Sequence, residues 1–287
     1  MSSFLAQDRS TMIAAALASP PMSANHGVVE TFTSRFSGRS FKLRVPPPEA
    51  AMHDLVKEAH HICQSCKPTS KEYDAAMKGE IARLLSEKGI FWSKVWPAGL
   101  ALGFHLLENP SLCKCKSVLE LGAGLGIGGV CAAAAGASQV VVTDIEPKGL
   151  TFAARSAQDN GLNAKGAFVT AVWDWNGRPP AGLDGPYELV LAGDVIYCDE
   201  HAPRLGTLLA ALVKPGGTVL FSDSLERPYK LSHQSELCTR LQRSGFSQTL
   251  CVDVDVDATI VQQGGLRGAI AAGRNVRLLS YTRGATR

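Results

Sequence analysis

Several features of common protein classes are missing from this sequence. No run of 18 apolar residues occurs in its 287 residues, which excludes a membrane-spanning helix. The net charge is only +3 and no lysine- or arginine-rich run occurs, so we predict no nucleic-acid partner. Eight cysteines in a chain of this length are too few for a disulfide scaffold, so free thiols are expected. What remains, 45% hydrophobic and 19% charged residues, is typical of a soluble globular protein.

The start of the chain has little sign of a packed structure. Residues 1–40 contain several serines and threonines, two prolines and few acids, as in a weak transit peptide. The apolar piece Met12–Ala18 is short, however, and no basic cluster precedes it. We therefore predict a flexible tail over residues 1–27 and a cytoplasmic protein, with targeting to a mitochondrion or plastid as the alternative.

Residues 28–90 are predicted to form a small accessory region. Thr31–Val45 alternates in polarity around Ser37-Gly38, which predicts a β-hairpin. Glu49–Cys63 and Lys71–Glu87 have helical spacing. A cluster at the end of the first of these helices resembles a zinc site; its members are His60, His61, Cys63 and Cys66. Zinc sites need four converging ligands, so we interpret the cluster as helix-end residues and predict no metal.

Residues 91–287 alternate between strand and helix patterns. Trp96 precedes a helix that is expected to start at Pro97. The strands expected after it are 117–121, 139–143, 167–172, 188–192, 218–222, 248–256 and 276–282, and the helices are 126–135, 148–160, 201–212 and 232–244. The first strands are continuous apolar runs, as in a parallel sheet covered on both faces. We predict an α/β fold with a Rossmann-like, doubly wound sheet of seven strands, mostly parallel with an antiparallel pair at one edge.

The glycine-rich stretch Val118–Val130 indicates a ligand site at the end of the first of these strands. From Gly124 onward it satisfies the G-x-G-x-x-G pattern of dinucleotide-binding proteins, and Asp144 follows where an acid would bind ribose. Glu120 and Gly122, however, come before that pattern. An E-x-G-x-G-x-G order favours a nucleoside with an amino-acid tail, because the acid can meet an ammonium group.

With these motifs the chain resembles class I, seven-β-strand methyltransferases that use S-adenosylmethionine. It is most similar to the protein lysine methyltransferases that include those of the electron-transfer-flavoprotein β-subunit and of calmodulin. The resemblance covers about residues 91–283. Its motifs are Val95-Trp-Pro-Ala-Gly99, Val118–Gly126, Val142-Thr-Asp-Ile145 and Leu191-Ala-Gly-Asp-Val-Ile-Tyr197.

The resemblance implies a site built from two groups of residues. On the cofactor side it implies a wall for the pocket, a glycine loop, an acid near the amino group, an acid on the ribose, an aromatic ring near adenine and a glycine against the cofactor; these are Trp96, Gly122, Gly124, Gly126, Glu120, Asp144, Trp175 and Gly193. Trp173 competes for the adenine position. On the acceptor side it implies a D-x-x-Y motif formed by Asp194 and Tyr197.

The function that follows is methyl transfer from S-adenosylmethionine to a lysine of a protein substrate, by a monomeric enzyme with no membrane or nucleic-acid partner. Alternatives are another methyl acceptor, an NAD-dependent oxidoreductase, and a non-catalytic cofactor-binding protein. Taken alone, Asp194 is equally well interpreted as an acid that caps the following helix.

Overall fold

The computed structural model describes residues 15–19, 23, 27–47, 49–65, 71–87, 89–162, 167–226, 228–263 and 274–285. Most of the predicted tail, Cys66 and the glycine-rich stretch 264–273 lie outside these ranges. Within the tail, residues 15–18 are helical (α1) and bury Ala16. None of the helices in the described ranges is long and apolar enough to cross a bilayer.

A seven-stranded sheet forms the centre of the fold, in the order β5-β4-β3-β6-β7-β10-β8. The strands β3 to β7 are parallel, and β10 lies antiparallel between β7 and β8. This confirms the predicted mostly parallel sheet with an antiparallel pair. The strands are β3 Ser117–Leu121, β4 Gln139–Asp144, β5 Phe168–Val172, β6 Tyr187–Gly193, β7 Val213–Ser224, β8 Phe246–Asp255 and β10 Asn275–Arg283.

The start of β7 differs from the sequence prediction. The sequence pattern predicts that this strand starts at residue 218. In the structure Val213 already pairs with Tyr187 of β6, and the register then shifts before Thr218 pairs with Leu189. The predicted start is wrong because Pro215, Gly216 and Gly217 do not end the strand: an irregularity in the pairing accommodates them.

Helices cover both faces of the large sheet, because successive strand residues point to opposite sides. Val118 packs with the helices of one face and Leu119 with those of the other. The first face is covered by α4, α5 and α6, and the second by α7 and α8. The helices are α2 Ala50–Ile62, α3 Lys71–Glu87, α4 Pro97–Glu108, α5 Ile127–Ala134, α6 Pro147–Asp159, α7 His201–Leu212, α8 Pro228–Arg243 and the short α9 Val256–Thr259.

A second, three-stranded sheet packs against α4 and α6. The predicted hairpin is present as β1 (Val28–Ser34) and β2 (Ser40–Val45), and its rings Phe32 and Phe41 belong to the same core as α4. A third strand, β9 (Ile260–Gln263), pairs antiparallel with β1. This strand was not predicted. The hairpin therefore shares both a core and a sheet with the later part of the chain.

The strand order reverses direction next to β3. The chain runs from β3 outward through β4 to β5, then crosses to β6 and β7 on the other side of β3. In open α/β sheets ligands bind at the carboxyl ends of the strands beside such a switch point. The carboxyl ends of β3, β4 and β6 meet there.

Candidate functional site

A cavity of about 410 Å³ opens at this switch point. All but one of the ten predicted site residues line it: Trp96, Glu120, Gly122, Gly124, Asp144, Trp175, Gly193, Asp194 and Tyr197. The exception is Gly126, which begins α5 as its N-cap with a φ of +74°. A Cβ at Gly126 would lie 2.5 Å from the Cβ of Ala153 in α6, so this glycine allows two helices to pack closely.

The loop after β3 exposes bare backbone to the cavity. Gly122 and Gly124 both have left-handed backbone, with φ of +58° and +53°. A Cβ at Gly122 would lie 2.8 Å from Val195 and 2.9 Å from the Trp175 ring, and one at Gly124 would lie 3.3 Å from the carbonyl oxygen of Trp92. A side chain would collide with its neighbours at Gly122, and at Gly124 it would be tightly packed and strained by the positive φ, so both positions favour glycine.

Glu120 holds this loop to the start of α5. Its Oε1 accepts a hydrogen bond from the Gly128 amide (3.0 Å) and its Oε2 accepts one from the Gly129 amide (2.7 Å). Burial raises the pKa of the Glu120 carboxyl to about 7, although both amide hydrogen bonds favour its charged form. The structure thus gives Glu120 a role in holding the loop, and its contact with an ammonium group stays a prediction.

Asp144 ties the end of β4 to the same loop. Its Oδ2 accepts from the Gly124 amide at 2.7 Å, and its Oδ1 accepts from the Glu146 amide at 2.9 Å. The residue is 8% exposed, and burial raises the pKa of its carboxyl. Each oxygen keeps lone pairs for further acceptance, so Asp144 can bind hydroxyl groups of a ligand while it fixes the loop.

Four tryptophans line the cavity, and two of them, Trp96 and Trp175, are predicted site residues. Trp96 directly precedes α4 and its Nε1 donates to the carbonyl oxygen of Phe91 at 2.8 Å. Trp175 lies over Gly122, as the close approach above shows. The competing Trp173 also lines the cavity, but it is only 3% exposed and packs in the core of the second sheet face. The geometry favours Trp175 as the ring that faces a ligand, and its contact with adenine stays a prediction.

Asp194 and Tyr197 lie on the loop that leaves β6. Asp194 has a φ of +59°, which is uncommon for a residue with a side chain, and its amide donates to the Ser222 carbonyl at 2.8 Å. The helix-cap alternative for Asp194 is wrong, because α7 begins after Glu200 and has no side-chain cap. Tyr197 is 53% exposed. Burial of its hydroxyl, followed by the charge of Asp144, raises the pKa of Tyr197, so the phenol stays protonated at neutral pH.

Some cavity residues were not predicted as site residues. They are Phe91, Trp92, Lys94, Ile145, His201 and Arg204, among others. The ring of His201 lies 4.3 Å from that of Tyr197, and its Nδ1 is 2.7 Å from the Val195 carbonyl oxygen. A spacing of four residues from Tyr197 was the available sign in the sequence. It was missed because His201 was treated only as the first residue of a helix.

The predicted absence of a metal rests on the sequence. In the ranges that the structure describes, no group of three or more histidine, cysteine or acidic side chains is placed to hold a metal ion. His60, from the H-H-x-C-x-x-C cluster, instead contacts the Tyr73 hydroxyl through its Nδ1 at 2.5 Å. Cys63 is buried against α2 and α3.

Comparisons with known proteins give consistent results. Residues 86–236 match the family model described as lysine methyltransferase, which is just over half of the chain. The electron transfer flavoprotein beta subunit lysine methyltransferase of Mus musculus is 29% identical over 143 residues (50% of this chain, 53% of that protein). Its counterpart in Danio rerio is 34% identical over 134 residues (46% and 49%), and the calmodulin-lysine N-methyltransferase of Arabidopsis thaliana is 30% identical over 121 (42% and 40%).

The matches span about half the length of these relatives. Among solved structures, magnesium protoporphyrin IX methyltransferase from Synechocystis PCC 6803 is 16% identical, with a TM-score of 0.47 over 79% of this chain and 94% of that one. Because the family model matches more than half of the chain, the chain belongs to the lysine methyltransferase family.

Proposed function

We propose that the protein transfers a methyl group from S-adenosylmethionine to a lysine side chain of a protein substrate. The observation that supports this most directly is the cavity at the switch point. It brings the buried acid of β3, the acid at the end of β4 and the Asp194–Tyr197 loop to one place, although they are far apart in sequence. Membership of the lysine methyltransferase family supports the same function.

The residues present fit the proposed cofactor. Gly122 and Gly124 line the cavity without side chains, so a ligand can approach the backbone of the loop. Asp144 would hold the two ribose hydroxyls, and Glu120, at the base of the loop, would attract the positive end of the ligand. The cofactor supplies an electrophilic methyl group on a sulfonium. The protein's task is to hold that group and the acceptor in line.

The acceptor must lose a proton before it can attack. The ordinary pKa of lysine is near 10.4, so a buried channel beside a positive sulfonium favours the neutral amine through desolvation and like charge. The carboxylate of Asp194 has the opposite effect, because it favours the ammonium. We therefore assign Asp194 the recruitment and orientation of the amine rather than strong-base catalysis. Tyr197, which stays protonated, contributes a wall and a hydroxyl to the channel.

The relatives support a protein acceptor, because their names give the electron transfer flavoprotein beta subunit and calmodulin as the proteins on which they act. A labelling experiment identifies the substrate of this protein. Purified protein would be incubated with a cell lysate and S-adenosylmethionine carrying a labelled methyl group, and the digest would be analysed by mass spectrometry. Asp194→Ala protein serves as the matched control.

Label on lysine residues, present with the wild type and missing with Asp194→Ala, is the expected result. Label on small molecules or on other residues would contradict the lysine acceptor while keeping the methyltransferase. A thermal-shift comparison adds a test of the cofactor: S-adenosylhomocysteine should raise Tm and NAD should not. Stabilisation by NAD instead would contradict the proposed function as a whole.

A further inference from the structure

His201 occupies a special place between the two halves of the cavity. Its ring lies edge-on to Tyr197, with centroids 4.3 Å apart and an interplanar angle of 75°. The Trp175 ring also lies near it, with centroids 5.6 Å apart and an interplanar angle of 62°. One imidazole therefore contacts the tryptophan beside the glycine loop and the tyrosine of the acceptor loop.

A hydrogen bond fixes the orientation of this imidazole. The Nδ1 of His201 is 2.7 Å from the carbonyl oxygen of Val195, and a carbonyl oxygen can only accept. Nδ1 must therefore carry a proton and donate it. Val195 is the residue that follows Asp194, so the hydrogen bond links the first helical residue of α7 to the middle of the Asp194–Tyr197 loop.

The loop needs such a support at its far end. Its beginning is held by the Asp194 amide, which donates to Ser222 of β7. Val195 and Ile196 are buried, but Tyr197 is 53% exposed. Within the described residues, its ring contacts are to His201 and, at 6.3 Å, to the exposed Phe91. The imidazole is the closer of these two rings.

We propose that His201 is a positioning residue that holds the acceptor loop, through its hydrogen bond to Val195 and its ring contact with Tyr197. The role rests on the proposed function, in which Asp194 and Tyr197 receive the lysine. Trp175 also packs against the core of the second sheet face, so loss of the imidazole would leave the cofactor half of the cavity in place and let Tyr197 turn away from the channel. Methyl transfer would then fall, because misplacing a group by about 1 Å costs up to about a hundredfold in rate.

Three substitutions separate the two contacts. His201→Ala removes both of them. His201→Asn keeps an N–H donor near the position of Nδ1 but removes the ring, and His201→Phe keeps a ring but removes the donor. His61→Ala, at an exposed position on α2, is the matched control. For each variant we would measure kcat and KM for the protein substrate that the wild type methylates, the Kd of S-adenosylhomocysteine, and Tm.

The expected result for His201→Ala is a roughly tenfold lower kcat with a Kd for S-adenosylhomocysteine within about twofold of the wild-type value. His201→Asn and His201→Phe should each recover part of the loss. Unchanged kcat in His201→Ala overturns the proposal. So does a loss of S-adenosylhomocysteine binding that parallels the loss of kcat, because it would place the residue in the general stability of the cavity.

A double-mutant cycle tests whether His201 acts through the tyrosine. In a Tyr197→Ala background, the further change His201→Ala should lower kcat by much less than it does in the wild type. If the losses of kcat in the two single variants simply add in the double variant, the proposal is overturned. This holds even where His201→Ala lowers Tm. A wild-type protein that methylates no lysine contradicts the proposed function itself. An active wild type with an unaffected His201→Ala contradicts only the role of His201.

Discussion

The substitution Glu120→Gln tests the electrostatics at the base of the glycine loop. Both oxygens of Glu120 accept amide hydrogens, from Gly128 and Gly129. A glutamine has one oxygen that accepts, and its NH₂ group would face the other amide. One buried amide is then left without an acceptor, which costs about 1–3 kcal/mol of unfolding free energy relative to the wild type, whose carboxyl offers an oxygen to each amide.

Ionisation of Glu120 adds a pH-dependent term that the variant lacks. The ordinary pKa of this carboxyl is 4.5 and burial raises it to about 7. The folded protein thus keeps the proton to higher pH than the unfolded chain. Its contribution to stability is complete below about pH 4.5 and is lost as the pH rises through about 7. That difference corresponds to roughly 3 kcal/mol.

Urea unfolding at several values between pH 5 and pH 8 measures this difference. Wild type should be more stable than Glu120→Gln at pH 5, and the advantage should shrink by up to about 3 kcal/mol towards pH 8. Glu188→Gln is the control: Lys214, as hydrogen-bond donor, lowers the pKa of Glu188, so its effect should stay constant over this range. A constant difference between wild type and Glu120→Gln would refute the raised pKa.

The same carboxyl gives a prediction for ligand binding. In the proposed function a positive amino group lies near Glu120 and favours its ionised form. Calorimetry should therefore show that S-adenosylhomocysteine binds wild type more tightly at pH 8 than at pH 6. The Glu120→Gln variant should lose most of this change. An equal change in both proteins would contradict the contact between Glu120 and the ligand.

Two further substitutions test packing around the site. Gly126→Ala should lower Tm and weaken S-adenosylhomocysteine binding, because its methyl group would clash with α6. The control Gly161→Ala has a φ of +71° but open space around it, so it should show only the backbone strain of about 1–2 kcal/mol. Equal losses of stability in the two variants would contradict the clash. Ser156→Ala removes the buried hydroxyl that accepts from the Arg44 amide of β2, so urea unfolding should show a loss of about 1–3 kcal/mol, and an unchanged stability would show that the amide finds another partner.

The sequence was sufficient where the pattern is local. Apolar runs bounded by turns located each strand of the large sheet to within a few residues, apart from the start of β7. The α7 range of His201–Leu212 was predicted without error, since its apolar residues recur with helical spacing. The cavity residues followed from motifs at strand ends, because parallel strands bring their carboxyl ends to one edge.

Features that depend on distant pairing were missed. Strand β9 has only four residues, and its partner is β1, near the other end of the described chain. No local pattern specifies such a contact, because its stability comes from the partner strand. The sequence predicts only part of the role of Glu120, for a related reason. Its hydrogen bonds are made by amides that become available only when α5 packs against β3.

Asp144 and Asp194, two of the acids that line the cavity, have separate roles in the proposed function. Calorimetric titration with S-adenosylhomocysteine, run beside a radiolabelled methyl-transfer assay, tests this separation in Asp144→Ala and Asp194→Ala. Asp199→Ala, at an exposed position outside the cavity, is the control. Asp194→Ala should bind the ligand nearly as the wild type does and transfer no methyl group. Asp144→Ala should bind it at least about tenfold more weakly, because charge-assisted hydrogen bonds are lost. Equal loss of ligand binding in both variants would contradict the account.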